Sequence, residues 1–295
     1  MSLATSALTL GAAFLGSKPG ADALADALVA STLGPIDTAN IYGGGVSETL
    51  LGEAISRSGG LAPQSQIYSK ADRDAATGVF DGDRVRRSLD ESLSRLGLDR
   101  LPLYQLHDPY SVSFEEALAP GGAVSALLAL RDEGVIGAMG IAAGRTALVL
   151  DYVNTGLFDA VLSHNRFTLV DQAAEPIFEA ARARGMTVFN AAPFGGGVLA
   201  QPGATTPTYG YNQVMSAEFS QHIARVHDLA RDYEVDVAAA ALHFSLRSPL
   251  VDSTVVGIST VQRLDELAVL AAASVPEEFM LAVEALGPPP PSPND

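Results

Sequence analysis

Short apolar runs, each closed by glycine, proline or a charged residue, alternate along the chain with longer stretches in which apolar residues return every three or four positions. The runs predict strands at 7–10, 36–37, 66–70, 101–107, 135–141, 160–164, 187–191 and 254–258. Continuous apolar runs of this kind suit strands that are covered on both faces. The stretches between them predict helices at 22–33, from Ser47 to a stop at Gly59-Gly60, from Asp81 to a stop at Gly97, and at 123–131, 146–153, 174–184, 217–233, 237–246, 261–272 and 277–286. In the helix from Asp81, Val85, Leu89, Leu93 and Leu96 share one face while Arg84, Arg86 and Arg87 lie on others. Between the seventh strand and the helix at 217, Pro202, Gly203, Pro207, Tyr209, Gly210 and Tyr211 mark a loop long enough to be a lid.

A strand followed by a helix, repeated eight times, is the pattern of an α/β protein built as a (β/α)8 barrel, here with extra helices. Residues 1–286 are expected to form a single barrel domain. The tail 287–295, with Pro288 to Pro291 and Pro293, is expected to be flexible or disordered and outside the core.

Composition narrows the chemistry. With 47% apolar residues the chain has ample material for a core, yet no apolar run is long enough to span a bilayer. The N-terminus lacks the basic start of a secretory signal, so a cytoplasmic location is expected. The absence of cysteine removes thiolate catalysis, zinc-thiolate sites, iron–sulfur clusters and disulfides. A net charge of −16, scattered rather than blocked, argues against a nucleic-acid partner or an anionic membrane surface.

In a barrel of this type the reactive groups sit at the C-terminal strand ends. Asp37, Lys70 and His107 each close one of three successive strands, and Tyr42 follows Asp37 by five residues, just before Gly43-Gly44-Gly45. Taken singly, Asp37 reads as a turn or cap residue, Tyr42 as core, Lys70 as a rim cation and His107, before Asp108-Pro109, as a turn histidine. Gathered at one mouth they form an acid–base set. A phenol beside an ammonium can exchange a proton with a carbonyl or alcohol oxygen, a carboxylate can hold the ammonium, and an imidazole can orient the substrate. None of these groups is a redox centre, so a hydride donor would have to be a cofactor. Only His107 and carboxylates are available to a metal, and no His/Glu pair has helical ligand spacing, so no metal is expected.

The run Asp37-Thr38-Ala39-Asn40-Ile41-Tyr42-Gly43, followed by Ser47-Glu48 and Gly52, together with Ile67-Tyr68-Ser69-Lys70 and Leu103-Tyr104-Gln105-Leu106-His107-Asp108-Pro109, resembles the signatures of the aldo-keto reductases over nearly the whole chain. The resemblance implies Tyr42 as general acid/base, Lys70 lowering its pKa, Asp37 holding Lys70, and His107 orienting the substrate. It implies a nicotinamide cofactor near Gly11, Asp37, His164 and Asn165. Phe194 and Gly196, in the Gly195-Gly196-Gly197 run, would lie along the pyrophosphate. Gly257 and Ser259 at a helix start would take phosphate, with Arg263 and Glu266 near the adenosine.

Several positions depart from the family pattern. His164 stands where a glutamine is usual, Ala142-Ala143 where a Ser-Asn pair is common, and Ala191 where many members stack a tyrosine on the nicotinamide. Arg263 favours a 2′-phosphate, whereas Ile258 and Leu267 replace a usual lysine and asparagine. NAD and NADP both remain open, with the balance slightly toward NAD.

The loops around Phe189 to Phe194, Tyr209 to Tyr211 and Ala240 to Phe244 are similar to the branch that contains D-threo-aldose (fucose/galactose) 1-dehydrogenases and pyridoxal dehydrogenase. That similarity implies hydride transfer between NAD(P) and a small carbonyl or hemiacetal, a sugar or an aldehyde, such as an aldose lactol going to its lactone. Phe14, Tyr209 and Tyr211 would wall the substrate pocket beside Tyr42 and His107. Two other readings stay open: a nicotinamide-binding regulatory barrel with little turnover, and a metal-dependent barrel hydrolase. Oligomeric state is not legible.

Overall fold

The computed structural model describes residues 3, 6–62, 65–201, 203, 207–210 and 212–294. Eight parallel strands close on themselves: β1 (Leu8–Gly11), β2 (Ile36–Asp37), β3 (Ile67–Ala71), β4 (Leu101–His107), β5 (Ile136–Ala142), β6 (Ala160–His164), β7 (Thr187–Ala191) and, after a small hairpin of β8 (Thr208–Tyr209) and β9 (Gln213–Val214), β10 (Ser253–Gly257). The helices wrapping them are α1 (Ala21–Ala30), α2 (Val46–Ser58), α3 (Gly82–Leu96), α4 (Phe114–Leu118), α5 (Ala123–Asp132), α6 (Thr146–Asn154), α7 (Glu175–Ala183), α8 (Ala217–Asp232), α9 (Val237–Leu246), α10 (Val261–Ala272) and α11 (Glu277–Glu284).

Alternation along each strand sorts the side chains. Tyr68, Leu103, Ala138, Leu162, Phe189 and Val255 fill the barrel interior, while Tyr104, Met139, Ile141, Val161 and Val188 face the helices. Further along the inward face, toward the C-terminal mouth, the interior turns polar with Lys70 and Gln105, two residues past Tyr68 and Leu103, and then His107. Register sets them side by side: Asp37 pairs with Tyr68, Lys70 with Gln105, and His107 with Ala142.

Four differences from the sequence reading have physical causes. α1 ends at Ala30, with Ser31 already extended, because Pro35 disfavours helix just before it and the chain must turn toward β2. α4 was not predicted; Ser113 and Glu116 form a reciprocal capping box that starts this short helix. Within the lid loop Gly210 and Asn212 take positive φ and allow the β8–β9 hairpin. The tail has neither helix nor strand, but it is not apart from the barrel: Ser292 donates to Asp171, Asn294 Nδ2 donates to the Asn165 carbonyl at 3.1 Å, and Arg166 donates to the Asn294 carbonyl. The prolines remove backbone donors from this segment, and its polar side chains dock it.

Candidate active site

The turn after β2 brings Tyr42 back over the strand ends. Gly43, Gly44 and Gly45 all have positive φ, and a Cβ on Gly45 would lie 2.5 Å from the Arg95 guanidinium, so the turn closes only with glycine there. Lys70, 1% exposed, donates from Nζ to Asp37 Oδ2 at 2.5 Å, to the Thr38 carbonyl at 2.7 Å and to the Tyr42 hydroxyl at 3.3 Å. Gln105 adds a donor to the other oxygen of Asp37 at 3.2 Å. His107 stands edge-on to the Tyr42 ring, with centroids 5.6 Å apart. The structure thus brings the four predicted catalytic candidates into one contiguous group.

Burial alone would lower the Lys70 pKa; the adjoining Asp37 carboxylate outweighs it and holds the ammonium above its ordinary range. Tyr42 departs from expectation. Burial raises its hydroxyl above the usual phenol value, and Lys70 pulls it down only in part, against the opposing charge of Asp37. The phenol is therefore held protonated, which equips it to donate.

Sequence reasoning missed Asp72. It is 4% exposed, accepts the Ile41 N–H on Oδ2 at 3.0 Å, and meets His107 Nδ1 with Oδ1 at 2.7 Å. It also missed the scaffold beneath the tyrosine turn. Arg95 donates to the Asn40 carbonyl at 3.1 Å and to the fully buried Glu48 at 3.0 Å, while Glu48 accepts from Ser69 at 2.6 Å. The Asn40 side chain is held between Arg84 and Glu91, both at 3.0 Å. These groups fix the turn that carries Tyr42.

Across the mouth, His164 and His107 approach the same carboxylate: their Nε2 atoms lie 3.8 and 3.9 Å from Asp108. Burial would raise the Asp108 carboxyl, but His164, His107 and Tyr110 bring it down to about 2. Asn165, with φ of 56°, buries an Oδ1 that has no hydrogen-bond partner among the described residues. Ala142 and Ala191 present only methyl groups to the interior.

The remaining predicted positions fall in separate places around the rim. Gly11 and Gly257 pair between β1 and β10, and the exposed Phe14 ring lies over Gly257. Ser259 accepts from Lys18 at 3.3 Å, a cation that sequence reasoning overlooked. Arg263 is tied to Glu266 at 2.8 Å on α10. Half-buried Phe194 leads into Gly195, Gly196 and Gly197, and a Cβ on Gly196 would meet the Gly210 backbone at 2.6 Å.

Tyr209 does not wall the mouth. It is fully buried, its hydroxyl bonded to Thr168 at 3.0 Å and its ring against Phe219, and it supports Gly195 from beneath. The hairpin turns this residue inward, which an aromatic in a loop does not reveal. Tyr211 and Pro202 lie outside the described residues. Among the described residues no group of three or more His, Asp or Glu side chains could hold a metal ion, and no helix is long and apolar enough to cross a membrane.

Comparison with known proteins agrees with this geometry. The sequence profile described as "Aldo/keto reductase family" matches residues 7–287. The chain is 30% identical over 325 residues to pyridoxal 4-dehydrogenase of Microbacterium luteolum, covering 97% of this chain and 95% of that protein. It is 35% identical over 199 residues to D-threo-aldose 1-dehydrogenase of a Pseudomonas species, covering 67% of this chain and 60% of that one. Among solved structures, aldo-keto reductase AKR11C1 from Bacillus halodurans superposes with a TM-score of 0.78 at 21% identity, covering 96% of this chain and 93% of that one, which supports the fold alone.

Proposed function

Because the chain belongs to the aldo/keto reductase family and is an NAD(P)-dependent oxidoreductase, we propose that its substrate is a small sugar or aldehyde, foremost an aldose whose lactol is oxidised to the lactone. The observation that carries this reading is the closed set Asp37–Lys70–Tyr42, linked at 2.5 and 3.3 Å, with the His107 ring beside it. Such a set moves a proton at an oxygen but has no place to put a hydride. Relatives that oxidise an aldose and pyridoxal, by their names, supply the substrate class.

The residues present fit a nicotinamide dinucleotide. The unpaired Asn165 Oδ1 suits a carboxamide N–H, and the exposed Gly196, beside Gly195 and Gly197 in the same left-handed conformation, offers backbone that a phosphate can approach closely. Gly257, Ser259 and the cation of Lys18 stand ready for an anion at the start of α10. When bound, the cofactor accepts or donates the hydride. In the reducing direction Tyr42 gives its proton to the carbonyl oxygen while the Lys70 ammonium stabilises the phenolate left behind. Asp37 keeps Lys70 charged within the barrel.

Arg263 is engaged by Glu266, and Ile258 and Leu267 beside it are buried and apolar. This arrangement favours NAD, since a carboxylate suits a ribose hydroxyl better than a phosphate. Titration with both dinucleotides, then assay of an aldose and aldehyde panel by nicotinamide absorbance, tests the reading. Turnover of an aldose with NAD is expected. No absorbance change with either cofactor in either direction would overturn it.

A further inference from the structure

We propose that the pocket beside His107 is a subsite for a neutral monosaccharide, in which Asp108 accepts from, and Arg73 donates to, hydroxyls away from the reacting carbon; this rests on the aldose reading above. The pocket has a volume of about 320 Å³ and is walled by Ile41 and by the turns after β3 and β4. Ile41 directly precedes Tyr42, and the His107 ring on the pocket wall stands edge-on to the Tyr42 ring. A substrate whose reacting carbon lies at Tyr42 and His107 therefore has this pocket for the rest of its body.

Some polar groups on the wall are already engaged. Asp72 accepts the Ile41 N–H at 3.0 Å on one oxygen and meets His107 Nδ1 at 2.7 Å with the other. The Tyr110 hydroxyl accepts the Gly144 N–H at 2.8 Å and the Arg145 N–H at 3.3 Å. Arg73 and Ser111, by contrast, are exposed and have no hydrogen-bond or ion-pair partner among the described residues. Asp108 buries an Oδ1 with no hydrogen-bond partner among the described residues, and its Oδ2 stands 3.9 Å from His107 Nε2. Against the effect of burial, His164, His107 and Tyr110 hold its pKa at about 2, so near neutral pH it can only accept. A carboxylate, a guanidinium and a hydroxyl with unused hydrogen-bonding capacity thus line one cavity.

A sugar hydroxyl suits all three, since it can donate to the carboxylate and accept from the guanidinium. Ile41 and the exposed Tyr110 ring add apolar surface for the C–H groups of the sugar. An alkyl or aromatic aldehyde would desolvate the charged groups without giving them partners, the condition under which a polar site discriminates most strongly. A carboxylate or phosphate on the substrate would meet Arg73 but also Asp72 and Asp108, and like charge turns it away. The volume lies at the low end of the roughly 300–1,000 Å³ of small-molecule sites, which suits one sugar ring and not an oligosaccharide.

The test compares D- and L-galactose with their monodeoxy forms lacking one hydroxyl beyond C2, and with propanal and a pyridine carbaldehyde, on wild type and Arg73→Met. Removing a hydroxyl that meets Asp108 or Arg73 should lower kcat/KM by about 10–100-fold, the worth of a hydrogen bond to a charged group. Arg73→Met should cost galactose a factor of the same order, yet cost the deoxy sugar that lacks the Arg73-bound hydroxyl almost nothing further. A merely structural role would lower every aldose alike. Galactose oxidation that tolerates each deoxygenation, or an Arg73→Met loss equal for all aldoses, would overturn the subsite and leave the aldose reading standing; the wild-type series decides even without the variant. Turnover of the aldehydes but of no aldose would overturn the aldose reading. Binding then decides the subsite alone, by calorimetry on the NAD-bound enzyme with anhydrogalactitol, which keeps the ring and lacks the anomeric hydroxyl. Binding about tenfold weaker to Arg73→Met is expected, and equal binding to both proteins, or none, would overturn the subsite.

Discussion

Replacing Lys70 by methionine keeps the unbranched stem of the side chain and removes its terminal charge. In the wild type the ammonium serves Asp37, Thr38 and Tyr42, and the Lys70 and Asp37 side chains are 1% and 6% exposed. Without it Asp37 keeps, among the described residues, the neutral donor Gln105 at 3.2 Å. Breaking one side of a buried ion pair costs about 3–5 kcal/mol, because the remaining charge is left without compensation. At roughly 2–4 °C per kcal/mol for a chain of this order, the melting temperature should drop by roughly 6–20 °C. The pH dependence has a definite sign. The penalty belongs to the charged form of the carboxylate stranded in the variant, so it should shrink as pH falls. In the wild type the folded Lys70 pKa lies above the ordinary lysine value. Its contribution is therefore complete below about 10.4 and is lost only as pH rises beyond that. Thermal and urea unfolding followed by circular dichroism measure all of this. Adding Asp37→Asn to Lys70→Met removes the stranded charge and should restore much of the loss. A Lys70→Met protein as stable as wild type, or a double variant less stable than the single one, would refute the account of the buried pair.

Tyr42→Phe should slow carbonyl reduction by about 10²–10⁴-fold with cofactor affinity nearly unchanged, read by steady-state kinetics and dinucleotide titration; wild-type rates would rule out the phenol as proton donor. Asp108, with its carboxyl brought down to about 2 by His164 and His107 against the effect of burial, contributes stability above about 3.9 that is lost as pH falls through about 2. Asp108→Asn should therefore flatten the acid limb of a melting-temperature profile, and an unchanged limb would contradict that. Ending the chain at Gly287 takes the Asn294 carbonyl from the buried Arg166 and Ser292 from Asp171, for an expected loss of about 1–3 kcal/mol in unfolding experiments. Identical melts would show that the docked tail adds nothing to stability.

The barrel and the acid–base candidates were legible because strand ends are punctuated. Asp37, Lys70 and His107 each terminate an apolar run, and the fold sends those ends to one mouth. Asp72 carried a readable signal that went unused, since it stands two residues past Lys70 and an extended chain returns to the same face every second residue. Ser113 and Glu116 likewise spelled out the capping box of α4. Other contacts left no local trace. Arg84, Glu91 and Arg95 read as the solvated face of an amphipathic helix, and only the packing of α3 against the turn after β2 reveals that they hold Asn40 and Glu48. Tyr209 sat in a loop of turn residues, and nothing nearby shows that a hairpin would turn it inward. The prolines of the tail signal a segment without helix or strand, but whether such a segment docks depends on partners such as Asn165 and Arg166 far away in sequence.

The two halves of the mouth are built differently, and Asp108 is where they meet. On the β2–β4 side charged pairs and hydrogen bonds fix Asp37, Lys70, Asp72 and His107. On the β5–β7 side the interior carries Ala142 and Ala191, and its polar groups, His164 and Asn165, come at the end of β6. Asp108 follows directly after His107 with φ of 41°, a conformation that costs a non-glycine residue about 1–3 kcal/mol. That backbone places one carboxylate within 4 Å of imidazoles on both sides. An extended residue at this position would continue the direction of β4 and lose the shared approach to His107 and His164. The strain is thus matched by an electrostatic link between the acid–base group and the half of the mouth where Asn165 waits with an unpaired amide oxygen. A change at His164 should consequently be felt at His107 through Asp108, although the two histidines lie on strands that are not neighbours in the barrel.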